Sequence, residues 1–320
     1  MSAAIISTGS YRALRKVTNY DLENIMDTSH AWIEQRTGIV SRFYEDDSNL
    51  NMAYHASINA LKDIDLDSID GIIVGTYTPD NLIPGVAASL RHKLGITRNV
   101  YAFDVNAACS GFIFALHTAY AYIKSGMSKR ILVVGVDYNT RILDFEDRAT
   151  SILFGDGAGA VVLEASDVGI IDSFIHNESD VSNSLSAVSM SDFNHPYHAR
   201  EARHPYFQME GRAVFKFAVK ALKDSVLKLV RDNNLDLSDV DYIVSHQANL
   251  RILEMASKSL EIPMDKFLVN VDVVGNTSSG SVPLLLDEEN QKETFKKGMK
   301  IIMVAFGGGL TYGATLVEWT

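Results

Sequence analysis

The sequence predicts an α/β protein made of two related halves, and three observations carry that prediction. Short apolar runs bounded by Gly, Asp or Asn recur along the chain, stretches with helical spacing lie between them, and segments of the first half reappear in order in the second. Unbroken apolar runs describe strands covered on both faces, and strands of that kind alternating with helices mark the α/β class. With 320 residues, 47% of them apolar, the chain is long enough to bury a large core. Six prolines and no Gly/Ser or Gln/Asn run leave no sign of a linker.

In chain order the expected strands are 71–74, 100–103 with an extension to 105, 130–134 and 159–163, and helical spacing runs through 84–95, 109–125 and 213–230. The duplication rests on four collinear matches. IDLDSIDGIIVGT at 64–76 corresponds to LDLSDVDYIVSHQ at 235–247, an offset of 171. Asp104-Val105 and Asp272-Val273 precede Cys109 and Asn276 at an offset of 168. RILVVGVD at 130–137 matches KIIMVAFG at 300–307, an offset of 170, and the closing strands GAVVLE and GATLVE correspond at 154. These matches divide the chain into 1–166 and 167–320, with 175–210 as an insertion in the second half. Equivalent strand ends of two such halves meet at a shared interface, where ligand pockets commonly form. Cys109, His246 and Asn276 all fall at such ends.

Charge and cysteine content narrow the classes of function. A formal net charge of −11 argues against nucleic acid and anionic membranes, which call for clustered Lys and Arg. No apolar stretch approaches the roughly 18–20 residues of a membrane helix, and the first residues lack a charged region followed by a long apolar one, so a soluble, cytoplasmic protein is expected. The single cysteine rules out an internal disulfide and is either an inert core thiol or a nucleophile.

Its position favours the nucleophile. Cys109 sits in NAACSGF, directly after the strand ending at 105 and directly before a helix that is apolar almost all round and therefore central. At a helix N-terminus the positive end of the macrodipole is expected to lower the thiol pKa, and small neighbours leave room for a substrate. Ser245-His246-Gln247 ends one strand of the second half, and Gly275-Asn276-Thr277-Ser278 forms a turn further on. Singly these read as a structural histidine and a helix cap. Together, in equivalent slots of a chain with one cysteine, they read as a site. Gly307-Gly308-Gly309 after another strand allows close backbone approach and free N–H groups.

At these residues the chain resembles the β-ketoacyl-acyl-carrier-protein synthase III family, the initiating condensing enzymes of fatty acid synthesis within the thiolase-like superfamily. The motifs that carry the resemblance are WIEQRTGI at 32–39, AACSGF at 107–112, FGDGAG at 154–159, HQAN at 246–249, GNTS at 275–278 and FGGG at 306–309. It covers essentially the whole chain and implies a five-layer αβαβα sandwich of two pseudo-symmetric halves. Thiolases use a second cysteine, absent here, and elongating synthases use two histidines downstream of the cysteine, whereas His246 is the last histidine of this chain. Cys109, His246 and Asn276 remain as the catalytic set. Type III polyketide synthases share that set, so a related condensing enzyme of specialised metabolism is the alternative.

The resemblance also implies roles and partners. An acyl-CoA primer, acetyl-CoA or another short one, acylates Cys109, and malonyl-acyl carrier protein is then condensed with it. The N–H groups of Cys109 and Gly308 form the oxyanion hole. Trp32 and Arg36, on one face of a short helix capped by Asp27, Thr28 or Ser29, clamp the CoA adenine with Arg148, while Phe215, Ala248 and Asn249 line the pantetheine tunnel. No cofactor or metal is expected, since the CoA thioesters are substrates. Arg212, Lys216, Lys220 and Lys223 recur at helical spacing, and Lys216 and Arg251 match the family's carrier-protein docking positions. Ile83, before Pro84, stands where the family often has Phe and gates the acyl pocket from across a homodimer. His195, His198 and His204 have a spacing seen in metal sites, but without acidic or cysteine partners a surface loop is expected.

Overall fold

The computed structural model describes residues 2–180, 182–187 and 204–320, so His195 and His198 lie outside the described residues. Two sheets carry the fold. In the first, β1 (Ser2–Arg12), β2 (Gly71–Gly75), β3 (Tyr101–Val105), β4 (Arg130–Asp137) and β5 (Gly157–Ser166) lie in the order β1-β5-β4-β2-β3. In the second, β6 (Ile170–Asn177), β7 (Tyr242–Ser245), β8 (Lys300–Gly307) and β9 (Thr311–Glu318) lie in the order β6-β9-β8-β7. The place of β3 is taken there by a single parallel bridge from Ile243 to Phe267.

Direction and register repeat with the order. β2 runs parallel to β4 and β7 parallel to β8, while β5 and β9 are antiparallel to the strands on either side of them. Gly71 faces Ile131, which faces Leu163; in the second sheet Tyr242 faces Ile301, which faces Val317. The offsets read from the sequence, 171, 170 and 154, connect these residues one to one.

Layering follows from where the apolar side chains sit. Helix Gly111–Lys124 buries Phe112, Ile113, Ala115, Leu116, Ala119, Tyr120 and Ile123, a distribution too wide for one face, and it packs between the sheets with helix Ser281–Gln291. Helix Gly211–Asp232 buries a single stripe, including Phe217, Leu222, Val226 and Leu229, and exposes charge opposite it. It therefore lies outside the second sheet with helix Leu250–Leu260, as Asn49–Ala60 lies outside the first. Gly75 permits the tight fit at the centre, because a Cβ there would stand 2.3 Å from the Gly111 carbonyl carbon.

Several expected boundaries move. The helix expected over 109–125 begins as a 3-10 turn, Ala108–Ser110, and becomes α-helical at Gly111. The insertion expected from 175 starts later, because residues 175–177 complete β6 and pair with β9. Strand β1 carries no apolar run beyond its first residues, and only its partner β5 makes it a strand. No helix among the described residues is long and apolar enough to cross a membrane.

Candidate active site

The cysteine sits on a braced turn. After β3 the chain passes through Ala108, whose φ of 47 is uncommon for a residue with a side chain, and four contacts hold that turn. The Ala108 N–H donates to Asn106 Oδ1 at 3.2 Å, and Ser110 Oγ and Thr311 Oγ1 both donate to the Ala107 carbonyl, at 2.7 and 2.8 Å. From the second half, Ser279 Oγ donates to the Ala108 carbonyl at 2.8 Å. Gly307 closes in from β8, where a Cβ would stand 2.7 Å from the Cys109 nitrogen. Of the three glycines expected to allow close approach, Gly307 is the one pressed on the cysteine backbone.

His246 follows β7 directly, its N–H continuing the ladder to the Val304 carbonyl at 2.8 Å. The ring is 1% exposed, meets Phe306 edge-on at 5.1 Å, and leaves Nδ1 without a hydrogen-bond partner. Asn276 is gripped through its backbone: its N–H donates to Leu153 O at 2.9 Å and its carbonyl accepts from Gly155 N at 3.0 Å. Its Oδ1 accepts from the Ser278 N–H at 2.9 Å, which turns the amide so that the NH2 group is the end left for a ligand.

One cavity of about 450 Å³ brings these groups together. At its buried end are Cys109, His246 and Asn276; Phe215, Ala248 and Asn249 line it further out; and exposed Arg36 and Arg148 mark its open end with Trp32. Ser29 caps helix His30–Thr37 by accepting from Trp32 N, and two guanidiniums approach the Trp32 ring, Arg36 at 4.8 Å and Arg148 at 5.0 Å from its centre. Asn249 caps helix Leu250–Leu260 through Oδ1 and donates through Nδ2 to Arg36 O at 3.3 Å, joining the two helices. Gly308 lines a second cavity of about 420 Å³ that also reaches Cys109, with Tyr77, Ile142, Leu185 and Phe207.

Electrostatics in this chamber are set by burial. The thiol, expected to be lowered by the helix N-terminus, is instead pushed up to about 12, chiefly by desolvation, with the nearby Ser278 hydroxyl opposing the rise and the Asp137 carboxylate adding to it. Burial pushes His246 down to about 3, so its imidazole is neutral around pH 7. At rest the pair is uncharged thiol and uncharged imidazole.

Other predicted residues lie outside the cavities. Lys216 and Arg251 are exposed, one position beyond Phe215 and two beyond Asn249 respectively. Lys220, read as part of the same basic stripe, is paired with Glu178 at 2.9 Å and Asp224 at 3.3 Å. Ile83 is 89% exposed and touches neither cavity of its own chain. His204 is exposed beside Tyr206, and among the described residues no group of three His, Cys, Asp or Glu is arranged to hold a metal ion.

The sequence reading missed the residues that hold the site together. Asp137, at the end of β4, accepts from Thr76 Oγ1, Tyr77 N and Thr78 Oγ1 through one oxygen and from Ser279 N through the other. Asn139 accepts from Tyr77 Oη at 2.7 Å and donates to the Gly155 carbonyl beside Asn276. The turns themselves correspond at 170 and not at the 168 expected: Ala108–Ser110 before helix Gly111–Lys124 matches Ser278–Gly280 before helix Ser281–Gln291. That register makes Asn106 the counterpart of Asn276 and Ser279 the counterpart of Cys109. An offset held constant from the 130–137 match was the signal that would have found them.

Residues 103–179 match the family model for 3-oxoacyl-[acyl-carrier-protein] synthase III, and residues 230–319 match the model for its C-terminal part. The chain is 44% identical to the β-ketoacyl-[acyl-carrier-protein] synthase III of Clostridium acetobutylicum over 100% of its own length and 99% of that protein. It superposes on the crystal structure of 3-oxoacyl-[acyl-carrier-protein] synthase III from Aquifex aeolicus with a TM-score of 0.92 and 37% identity, covering 99% of this chain and 100% of that one. The priming β-ketosynthase of a polyketide pathway aligns with a TM-score of 0.90 and 33% identity, over 99% of this chain and 96% of that one. A cysteine, a histidine and an asparagine gathered in one chamber between two like halves, together with this similarity over the full length, mean that the chain belongs to the 3-oxoacyl-[acyl-carrier-protein] synthase III family.

Proposed function

We propose that this protein condenses an acyl-CoA primer with malonyl-acyl carrier protein through an acyl-enzyme on Cys109. The observation that carries the reading is the cavity of about 450 Å³ that joins the single cysteine to a neutral histidine, a free amide NH2 and an aromatic ring approached by guanidiniums. The Cys109 sulfur attacks the thioester carbonyl, the carbon–sulfur bond to CoA breaks, and CoA leaves with the thiol proton. Backbone N–H groups of Cys109 and Gly308 serve the oxyanion of that step. Malonyl-acyl carrier protein then loses CO2, and the enolate oxygen that forms is served by a ring N–H of His246 and the amide of Asn276, each plausibly contributing about 3 kcal/mol to lowering the barrier. The enolate carbon attacks the acyl-cysteine, the carbon–sulfur bond to Cys109 breaks, and the sulfur regains a proton from solvent.

Trp32, Arg36 and Arg148 hold the adenine end of CoA, and Phe215, Ala248 and Asn249 line the pantetheine path. Lys216 and Arg251 receive the acidic carrier protein; both are exposed, and each follows a cavity-lining residue closely in the chain, Phe215 and Asn249. Ile83 gates the acyl pocket of a second copy in a homodimer, which gives its exposure a purpose. The halves divide at residue 166, between β5 and β6, and no cofactor takes part. Incubation with acetyl-CoA followed by mass spectrometry tests the reading: an acetyl adduct on Cys109 that malonyl-acyl carrier protein discharges is the expected result. An unmodified cysteine with every short acyl-CoA overturns it, and discharge only by an extender other than malonyl-acyl carrier protein points to the polyketide-type alternative.

A further inference from the structure

Ser278 opens the turn Ser278–Gly280, two residues after Asn276. Its side chain is 1% exposed and its φ is 53, in the left-handed region that a residue with a Cβ adopts at a cost of about 1–2 kcal/mol. The turn Ser278–Gly280 packs on the turn Ala108–Ser110, and Ser279 Oγ bonds to the carbonyl of the residue before Cys109. In the pseudo-symmetry of the two touching turns, Cys109 holds the position of Ser279 and Ser278 that of Ala108.

The Ser278 hydroxyl lies among the Cys109 sulfur, the Asp137 carboxylate and the Tyr77 hydroxyl, yet forms a well-aligned hydrogen bond with none of them and has no partner among the described residues. A buried hydroxyl left unpaired calls for an explanation, and a catalytic role is one. Two of its three neighbours have no need of its proton. Asp137 already accepts from four donors, and Tyr77 Oη donates to Asn139. The sulfur is served only by its own backbone N–H, and it needs a further donor when it carries charge.

We infer that Ser278 is a further catalytic residue, whose hydroxyl turns to donate a hydrogen bond to the Cys109 sulfur whenever that sulfur becomes a thiolate, before acylation and again as the acyl-cysteine is broken. This rests on Cys109 being the nucleophile, and it is tested without substrate. Because the chain has one cysteine, both iodoacetamide alkylation and loss of the infrared S–H band report on Cys109 alone. Ser278→Ala removes the hydroxyl, and Ser278→Gly removes it while relieving the positive φ. At about pH 10, below full ionisation, both variants are expected to have about tenfold less thiolate and to alkylate about tenfold more slowly, as for a thiol pKa raised by about one unit. An unchanged thiolate fraction in either variant overturns the inference, including the case in which alkylation slows from altered access alone. Activity with acetyl-CoA is not read, so failure here leaves the proposed reaction to be judged separately.

Discussion

The turns 106–111 and 276–281 have the same course, an asparagine that bonds to the N–H two residues on, a positive φ, a 3-10 turn and the start of a central helix, yet they hold different chemistry. In the first half the turn delivers Cys109 to the cavity while its asparagine, Asn106, is exposed beside the second cavity. In the second half the asparagine reaches the cavity, and Ser279, in the cysteine's position, is spent on the Ala108 carbonyl. The strand ends differ similarly. His246 stands where the first half has Gly75, and a side chain at Gly75 would collide with Gly111. A duplicated backbone supplies each position twice, and close packing leaves one copy of each free to act.

The largest effect that tests this contrast concerns the asparagines. Asn276→Ala is expected to slow condensation by about 10²–10³-fold, the range for loss of one oxyanion donor, while the acyl-cysteine still forms. Asn106→Ala, which loses one bond that holds the cysteine turn but no oxyanion donor, should slow the rate by no more than about tenfold, as for about 1 kcal/mol of a lost hydrogen bond. Comparable losses in steady-state assays of the two variants would remove the division of labour between the halves.

Next in size is the pH dependence carried by His246. Its folded pKa is depressed to about 3 from 6.5, so between those values the unfolded chain binds the extra proton and stability falls as the pH drops. The loss approaches about 1.4 kcal/mol for each pH unit below the unfolded value. His246→Asn should flatten that slope in denaturant titrations at pH 4–6, and an unaltered slope would mean that the imidazole is not desolvated in solution.

Ser279→Ala should cost about 0.5–1.5 kcal/mol of stability by removing one of the two donors to the half-buried Ala108 carbonyl, which keeps the Gly111 N–H. Chemical denaturation measures it, and a cost near zero would show the two turns to be independent. Smallest are the exposed charges: Lys216→Glu and Arg251→Glu should each weaken carrier-protein binding several-fold, chiefly through slower association. Lys220→Glu, already paired with Glu178 and Asp224, should do less. Equal losses in surface-binding measurements would turn the specific docking positions into a diffuse field.

Much of the site was legible because its parts sit where periodicity is strongest. GIIV, RILVV and GAVVL are unbroken apolar runs, and each lies within a strand, so residues placed just past strand ends converge on one chamber whatever the details of packing. The capped helix with Trp32 and Arg36 on one face was equally readable, being local. What escaped was mostly contact across the interface. Asp137 ends a strand like many others, and nothing local marks it as the acceptor for Ser279.

By itself, then, the sequence determined the class of fold and pointed to the repeat and to the groups proposed to react, because these depend on spacing along the chain and on which side chains are present at all. Only the tertiary structure decided the state of those groups. The helix N-terminus argued for a lowered thiol pKa, and burial reversed it, since desolvating a charge within a packed interior outweighs the pull of a helix end. It also decided that Ser278, one of several serines in a turn, is buried with its hydroxyl unpartnered among the described residues, in a turn packed on that of Cys109. Desolvation and proximity are sums over neighbours from distant parts of the chain, and they exist only once the two halves have closed.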